Sequence, residues 1–273
     1  MEDTILIVQN NLSQLLKLAV DAGKAILEVY ATAFSVELKE DRSPLTLADK
    51  CSNEILCNGL KNIGGFPILS EENKQIPFEE RKSWNQFWLV DPLDGTKEFI
   101  KRNGEFTVNV ALIEGNEPVF GIIYVPVTGQ MYFAIKGHGS YTLMLTDSNS
   151  VPDSFDEIIS VSKRLPIEKR QVGEYNIVAS RSHMSPETEA YINVEKGKHK
   201  TVNIVSAGSS LKFCLVAEGK ADAYPRFGPT MEWDTGAGHI IVAETGKKLV
   251  RTDTMEPLTY NKPSLLNPNF LVY

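Results

Sequence analysis

The chain has 273 residues, 42% of them apolar and 23% charged, with a formal net charge of −7. That length supports a large core, either as one domain or as two lobes sharing a cleft. The negative balance argues against a nucleic acid polymer as partner, because polyanion binding leans on a basic field.

No apolar run approaches the ~20 residues that span a bilayer, so no transmembrane segment is expected. The stretch "MEDTILIVQNN" lacks the basic region of a signal peptide. The expected location is the cytoplasm, with peripheral contact at the inner membrane face left open. Three widely spread cysteines, Cys51, Cys57 and Cys214, point to reduced thiols rather than a disulfide framework or a zinc site.

Residues 10–30 place Leu12, Leu15, Leu16, Ala19, Ala22, Ile26, Leu27 and Tyr30 on one helical face. A second helix is expected from Ala48 to Leu60, with Ile55 and Leu56 inward. "FPILSEEN" reads as a short buried strand running into Glu71 and Glu72. "FWLVDPLDGTKEFI" drops from a buried strand into Asp91 and Asp94, and a helix is expected from Thr96. "FTVNVALI", "PVFGIIYVP" and "GQMYFAI", with turn signals between them, predict an antiparallel meander. The polar stretch 144–158 is the expected lobe boundary. Beyond it, "YNIVAS" and "TVNIVS" read as strands, "SSLKFCLVAEGKAD" as a helix ended by Gly219, and "DAYPRF" as a strand. "DTGAGHIIVAETG" reads as a helix closed by Gly246. The alternation predicts an α/β fold: an α+β lobe over 1–150 and an α/β lobe over 151–273.

Asp49, Glu71, Asp91, Asp94 and Asp234 all fall at the ends of predicted elements. Each alone has an ordinary reading, as a cap, a turn or a solvated side chain. Together they would repel one another and lose hydration, unless hard cations lay between them. Mg²⁺ suits carboxylate oxygens and is commonly completed by substrate phosphate. Pro92 fixes the backbone between two acids and lets the Leu93 carbonyl turn toward a metal. Gly95 lets the chain turn close to a ligand, and the N–H groups that follow can meet phosphate oxygens. Two metals, a positioned water and an N–H cradle describe two-metal phosphoester hydrolysis.

"WLVDPLDGT" after "SEE", with "WDTGAGHIIVAETG" about 140 residues downstream, resembles the inositol monophosphatase superfamily of Mg²⁺-dependent, lithium-sensitive phosphatases. "DGTKEFIKRNGEFTVNVALI", "SRSH", "GSSLKFCLVAEGKADAYPRFGPT" and "LNPNF" are most similar to its 3′(2′),5′-bisphosphate nucleotidase branch. The resemblance implies a layered αβαβα sandwich of the inositol monophosphatase and fructose-1,6-bisphosphatase type. It implies hydrolysis of the 3′-phosphate of 3′-phosphoadenosine 5′-phosphate to AMP and phosphate, in sulfate assimilation; use of the 5′-phosphosulfate form stays open.

The resemblance also implies residue roles. Glu71, Asp91 and the Leu93 carbonyl hold one Mg²⁺; Asp91, Asp94 and Asp234 hold a second; a third, weaker ion lies near Glu71. Asp49 and Thr96 orient and deprotonate the attacking water. Gly95 and Thr96 hold the scissile phosphate, which Glu71, Leu93, Asp94 and Asp234 also surround. Ser180, His183, Ser209, Lys212 and Arg226 lie on the nucleotide side, Arg226 with a surface salt bridge as its alternative. Glu72 is read as structural, Lys97, Lys101 and Arg102 as a solvated helix face, and His138, His199 and His239 as structural or surface residues. The expected partner is a small nucleotide, and the chain a monomer or homodimer. An inositol phosphate phosphatase is the competing reading; a non-catalytic or RNA-binding member is disfavoured by the intact acids and the negative charge.

Overall fold

The computed structural model describes residues 1–33, 36–38, 44–73, 76–168, 173–179 and 184–273. The chain begins with α1 (Glu2–Asn10), α2 (Leu12–Tyr30), β1 (Val36–Leu38), β2 (Pro44–Thr46), α3 (Leu47–Leu60), β3 (Ile68–Ser70) and α4 (Phe78–Arg81). Then come β4 (Gln86–Asp94), α5 (Thr96–Ile100), β5 (Thr107–Glu114), β6 (Glu117–Val125), β7 (Gln130–Ile135), β8 (Gly139–Met144), α6 (Phe155–Val161) and β9 (Lys163–Arg164). It continues with β10 (Glu174–Ala179), α7 (Pro186–Lys196), β11 (Thr201–Ser206), α8 (Leu211–Glu218), β12 (Tyr224–Arg226), α9 (Glu232–Ala243), β13 (Leu249–Arg251) and β14 (Phe270–Val272).

Among the described residues, β3 to β9 form one sheet in sequence order. The β3–β4 pair is parallel and the rest antiparallel. Its strands read as unbroken apolar runs because both faces are covered. Alternate side chains take opposite faces. Trp88, Val90, Val108, Val110, Ile122 and Phe133 share a core with Leu12, Leu16 and Ile26 of α2 and Leu56 of α3. Phe87, Leu89, Ala111, Ile113, Ile123 and Ala134 pack instead on Phe213 of α8 and Ala237, Ile240 and Ile241 of α9. Each fully buried large apolar side chain contributes roughly 1.5–3 kcal/mol. At Gly121 a Cβ would sit 2.6 Å from Ile240 Cγ2 and 2.8 Å from the Ala237 carbonyl oxygen, so glycine lets α9 press onto β6.

On the far side of α8 lie the parallel pair β10–β11 and the antiparallel set β12–β14–β13. Helix α7 packs against β10, β11 and β12. The layers run helix, sheet, helix, sheet, helix, as expected.

Three expectations change in detail. Helix α1 precedes the predicted first helix, and only Thr4 and Val8 are buried along it, too few to show as a stripe. Helix α9 ends at Ala243; Gly246, at φ 85°, turns the chain after it rather than capping it. The polar stretch 144–158 leads into α6, whose Ile158 joins the first core, and β9 extends the large sheet past residue 150. Cys51, Cys57 and Cys214 are free thiols. Among the described residues, no helix is long and apolar enough to cross a membrane.

Candidate active site

The alternation that packs the second core also delivers acids to one end of the sheet. Leu69 of β3 and Leu89 of β4 face α9. Two residues further along their strands come Glu71 and Asp91. Helix α9 brings Asp234 to meet them from its first turn. One carboxylate oxygen from each of Glu71, Asp91 and Asp234 lies within 4.8 Å of the others. Backbone contacts fix the three: the Glu71 N–H donates to the Val90 carbonyl at 3.1 Å. Asp91 Oδ1 accepts the Leu93 N–H at 3.1 Å, and Asp234 Oδ2 accepts the Met231 N–H at 2.8 Å. Desolvation first, then the charges of Asp94 and Glu71, push the Asp234 carboxyl well above the usual carboxylate range. A donor set made only of carboxylate oxygens, mutually repelling and partly desolvated, fits a hard divalent cation.

Asp49 reaches the same region from the other face of the sheet. It stands in the first turn of α3 and is 1% exposed. Its Oδ2 accepts the backbone N–H and the hydroxyl of Thr46, both at 2.7 Å, a reciprocal cap on the helix start. Its Oδ1 accepts the Thr96 hydroxyl at 3.3 Å. The motif itself is bent out of regular pairing, since the β4–β5 register shifts between Asp91 and Asp94. Ser52 of α3 holds that bend by donating to the Pro92 carbonyl at 2.6 Å. Gly95 follows at φ 92°, in the left-handed region, and opens α5. The Leu93 carbonyl lies 3.5 Å from the Thr96 hydroxyl. Asp94 stands outside the close trio, and its Oδ2 accepts the Ser209 hydroxyl at 2.6 Å.

A cavity of about 620 Å³ opens beside these acids. Asp94, Gly95, Asp234, Ser209, Lys212 and Arg226 line it. Lys212 is buried, and its Nζ donates to the Ser209 carbonyl at 2.7 Å and lies over the Tyr224 ring. Burial lowers its pKa to about 8, against the pull of Asp94. Arg226 donates through Nη2 to the Pro229 carbonyl at 3.1 Å, while its buried Nε has no hydrogen-bond partner. Among the described residues no ion pair of Arg226 appears.

Ser180 and His183 lie outside the described residues. Lys97 lines the cavity, but Arg102 does not. Arg102 donates to the Tyr30 and Thr32 carbonyls, each at 2.6 Å, and pins the end of α2. The Glu72 N–H donates to Ser70 Oγ at 3.3 Å.

Sequence reasoning passed over several residues that build the site. Thr107 and Asn109 are buried polar breaks in an apolar strand. Asn267, inside "LNPNF", donates to the Met231 carbonyl at 2.7 Å and so steadies the start of α9. Glu232, fully buried, accepts the Asn261 and Lys262 N–H groups at 2.7 and 3.0 Å and ties that start to the 261–267 loop. The available signal was a buried-strand Thr-x-Asn pattern and an acid two positions before Asp234.

The five-layer fold with an acid trio at the sheet end is of the inositol monophosphatase type. Residues 8–271 match the inositol monophosphatase family, and the chain belongs to that family. It is 44% identical over 265 residues to "3′(2′),5′-bisphosphate nucleotidase CysQ" of Escherichia coli O157:H7, covering 96% of this chain and 98% of that one. It is 39% identical to the protein of that name from Buchnera aphidicola, covering 95% and 92%. The crystal structure of CysQ from Bacteroides thetaiotaomicron superposes with a TM-score of 0.88 at 47% identity, covering 97% of both chains. Bartonella henselae suhB shares the fold at a TM-score of 0.70 and 22% identity, covering 94% and 91%.

Proposed function

We propose that the protein is a Mg²⁺-dependent 3′(2′),5′-bisphosphate nucleotidase that converts 3′-phosphoadenosine 5′-phosphate to AMP and phosphate. The observation that carries this reading is the adjacency of two unlike features. Asp234 belongs to an oxygen-only acid trio and lines a cavity that Lys212 and Arg226 also line. The acids suit a cation-bound ester phosphate, the cationic side chains a second anionic group. The full-length likeness to bisphosphate nucleotidases supports the same assignment.

In this reading Glu71, Asp91 and Asp234, with the Leu93 carbonyl and Asp94, hold two Mg²⁺ ions, with a third, weaker one near Glu71. Bound there, the metal neutralises phosphate charge and makes hydroxide available near neutral pH. Gly95 and Thr96 present backbone N–H groups to the ester phosphate. Thr96 donates its hydroxyl proton to Asp49, so its oxygen accepts from the attacking water. The water oxygen bonds to phosphorus as the P–O3′ bond breaks, its proton passes by way of Thr96 to Asp49, and the departing 3′-oxygen takes a proton from solvent. Ser209, Lys212 and Arg226, together with Ser180 and His183, hold the second phosphate and the nucleoside. Residues 1–150 thus supply most of the acids, and 151–273 supply Asp234 and the nucleotide contacts.

Phosphate release from 3′-phosphoadenosine 5′-phosphate tests the reading. Release should require Mg²⁺, stop with a chelator, and fall at least ~100-fold in Asp91→Asn. Undiminished hydrolysis by Asp91→Asn would overturn the metal-site assignment.

A further inference from the structure

Strand β5 carries Thr107 and Asn109 at 0% and 1% exposure, on the face where Ala111 and Ile113 are apolar. Pairing sets Asn109 opposite Asp91 and Thr107 opposite Asp94. The loop before α8 lies over both. Thr107 Oγ1 is 2.7 Å from Ser209 Oγ and 2.7 Å from Ser210 Oγ. Ser210 Oγ donates to Asn109 Oδ1 at 2.8 Å. Ser209 Oγ donates to Asp94 Oδ2 at 2.6 Å, and Asn109 Nδ2 approaches the same oxygen at 3.5 Å.

Proton counting directs the serines of this network. An ionised carboxylate only accepts, so the single Ser209 hydroxyl proton goes to Asp94. Ser210 spends its proton on Asn109, so the one Thr107 proton is shared between the Ser209 and Ser210 oxygens, with Asn109 Oδ1 a further acceptor at 3.2 Å. Removing the Thr107 hydroxyl takes away the donor common to both serines.

Ser209 also faces the other way. Its carbonyl accepts from Lys212 Nζ at 2.7 Å. Its φ of 51° is uncommon for a residue with a Cβ, a conformation held only where surroundings impose it. Gly208 is wedged against the neighbouring segment: a Cβ there would sit 2.9 Å from Glu98 Cγ and 3.0 Å from the Glu105 carbonyl oxygen. One residue, on a clamped loop, therefore touches both a lysine and an acid that line the cavity.

We propose that Ser209, oriented by Thr107, couples occupancy of the second-phosphate position at Lys212 to the placement of Asp94 beside the reacting phosphate. The proposal rests on the bisphosphate nucleotidase reading. An anion on Lys212 fixes the ammonium, the ammonium fixes the Ser209 carbonyl, and the Ser209 hydroxyl holds Asp94. Thr107 and Ser209 act as positioning residues. The second phosphate then raises kcat, and does more than lower KM.

The test compares 3′-phosphoadenosine 5′-phosphate with adenosine 3′-monophosphate, which lacks the 5′-phosphate, in wild type, Thr107→Val and Thr107→Ser. Wild type should show a kcat advantage of about tenfold for the bisphosphate, within the usual 5–150-fold range of coupling between sites. Thr107→Val should remove that kcat advantage while keeping the KM advantage, and Thr107→Ser should restore it. Thr107→Ala gives the same readout if Thr107→Val does not fold. Equal loss on both substrates, or an unchanged kcat ratio, overturns the coupling while leaving the nucleotidase reading intact. Wild-type inactivity on the bisphosphate overturns the nucleotidase reading itself, and the coupling with it.

Discussion

Replacing Asp234 by Asn should stabilise the metal-free protein while destroying its activity. The amide oxygen can still accept the Met231 N–H that Asp234 Oδ2 accepts at 2.8 Å, so the helix start is preserved. What disappears is one negative charge from a trio whose oxygens lie within 4.8 Å. Two unit charges ~5 Å apart at an effective dielectric of ~20 repel by about 3 kcal/mol. Proton uptake and water relieve much of this, leaving a gain of about 1–2 kcal/mol. For a chain of this size that is a rise of about 2–4 °C in melting temperature.

The sign agrees with linkage. The folded-state pKa of Asp234 is raised, so the native state holds a proton that the unfolded state releases. Metal-free wild type therefore loses stability as pH rises past the ordinary carboxylate range, and the variant should lose less. Mg²⁺ reverses the order: wild type gains about 2.7 kcal/mol at 100 times its Kd, and the variant gains little. Thermal melts in chelator and in Mg²⁺, read beside phosphate release, make the check. A variant that melts below wild type in chelator, or gains as much from Mg²⁺, refutes the repulsion argument.

Two further outcomes are expected. Lys212→Met should cut kcat/KM for the bisphosphate about 100-fold and that for adenosine 3′-monophosphate less than ~3-fold, because only the former presents a second charge. Burial lowers the Lys212 pKa to about 8, so the cation is present below that pH and lost above it. The wild-type preference for the bisphosphate should fade as pH rises from 7 to 9.5, and a flat ratio would show that Lys212 does not carry it. Gly95→Ala should cost about 1–2 kcal/mol and most of the activity, because φ is 92° and the new Cβ would meet the Glu105 carbonyl oxygen at 3.2 Å. An unchanged melting temperature would mean that the turn relaxes freely.

The sheet and its two main helical covers were legible because burial on both faces leaves strong apolar runs, as in Phe87 to Val90 and Phe120 to Val125. The acids were legible as a set: several carboxylates at the ends of such runs would repel one another without cations between them. Helix α1 was not, since two buried residues make no periodic signal. Thr107 and Asn109 were passed over because a polar residue in a strand normally means a solvent-facing position. Here the same face turns from apolar at Ile113 to hydrogen-bonded at Thr107 as it nears the site. The role of Asn267 depends on a contact with the Met231 carbonyl across 36 positions, which no local pattern reveals. Arg102 is exposed, as a solvated charge should be, and also clasps the end of α2.

The most direct measurement is phosphate release with Mg²⁺ from 3′-phosphoadenosine 5′-phosphate and from inositol 1-phosphate, side by side at equal concentration. A strong preference for the nucleotide is predicted, because Lys212 and Arg226 line the same cavity as Asp94 and Asp234. A preference for the inositol ester would leave the metal site standing and contradict the nucleotide assignment of Lys212 and Arg226.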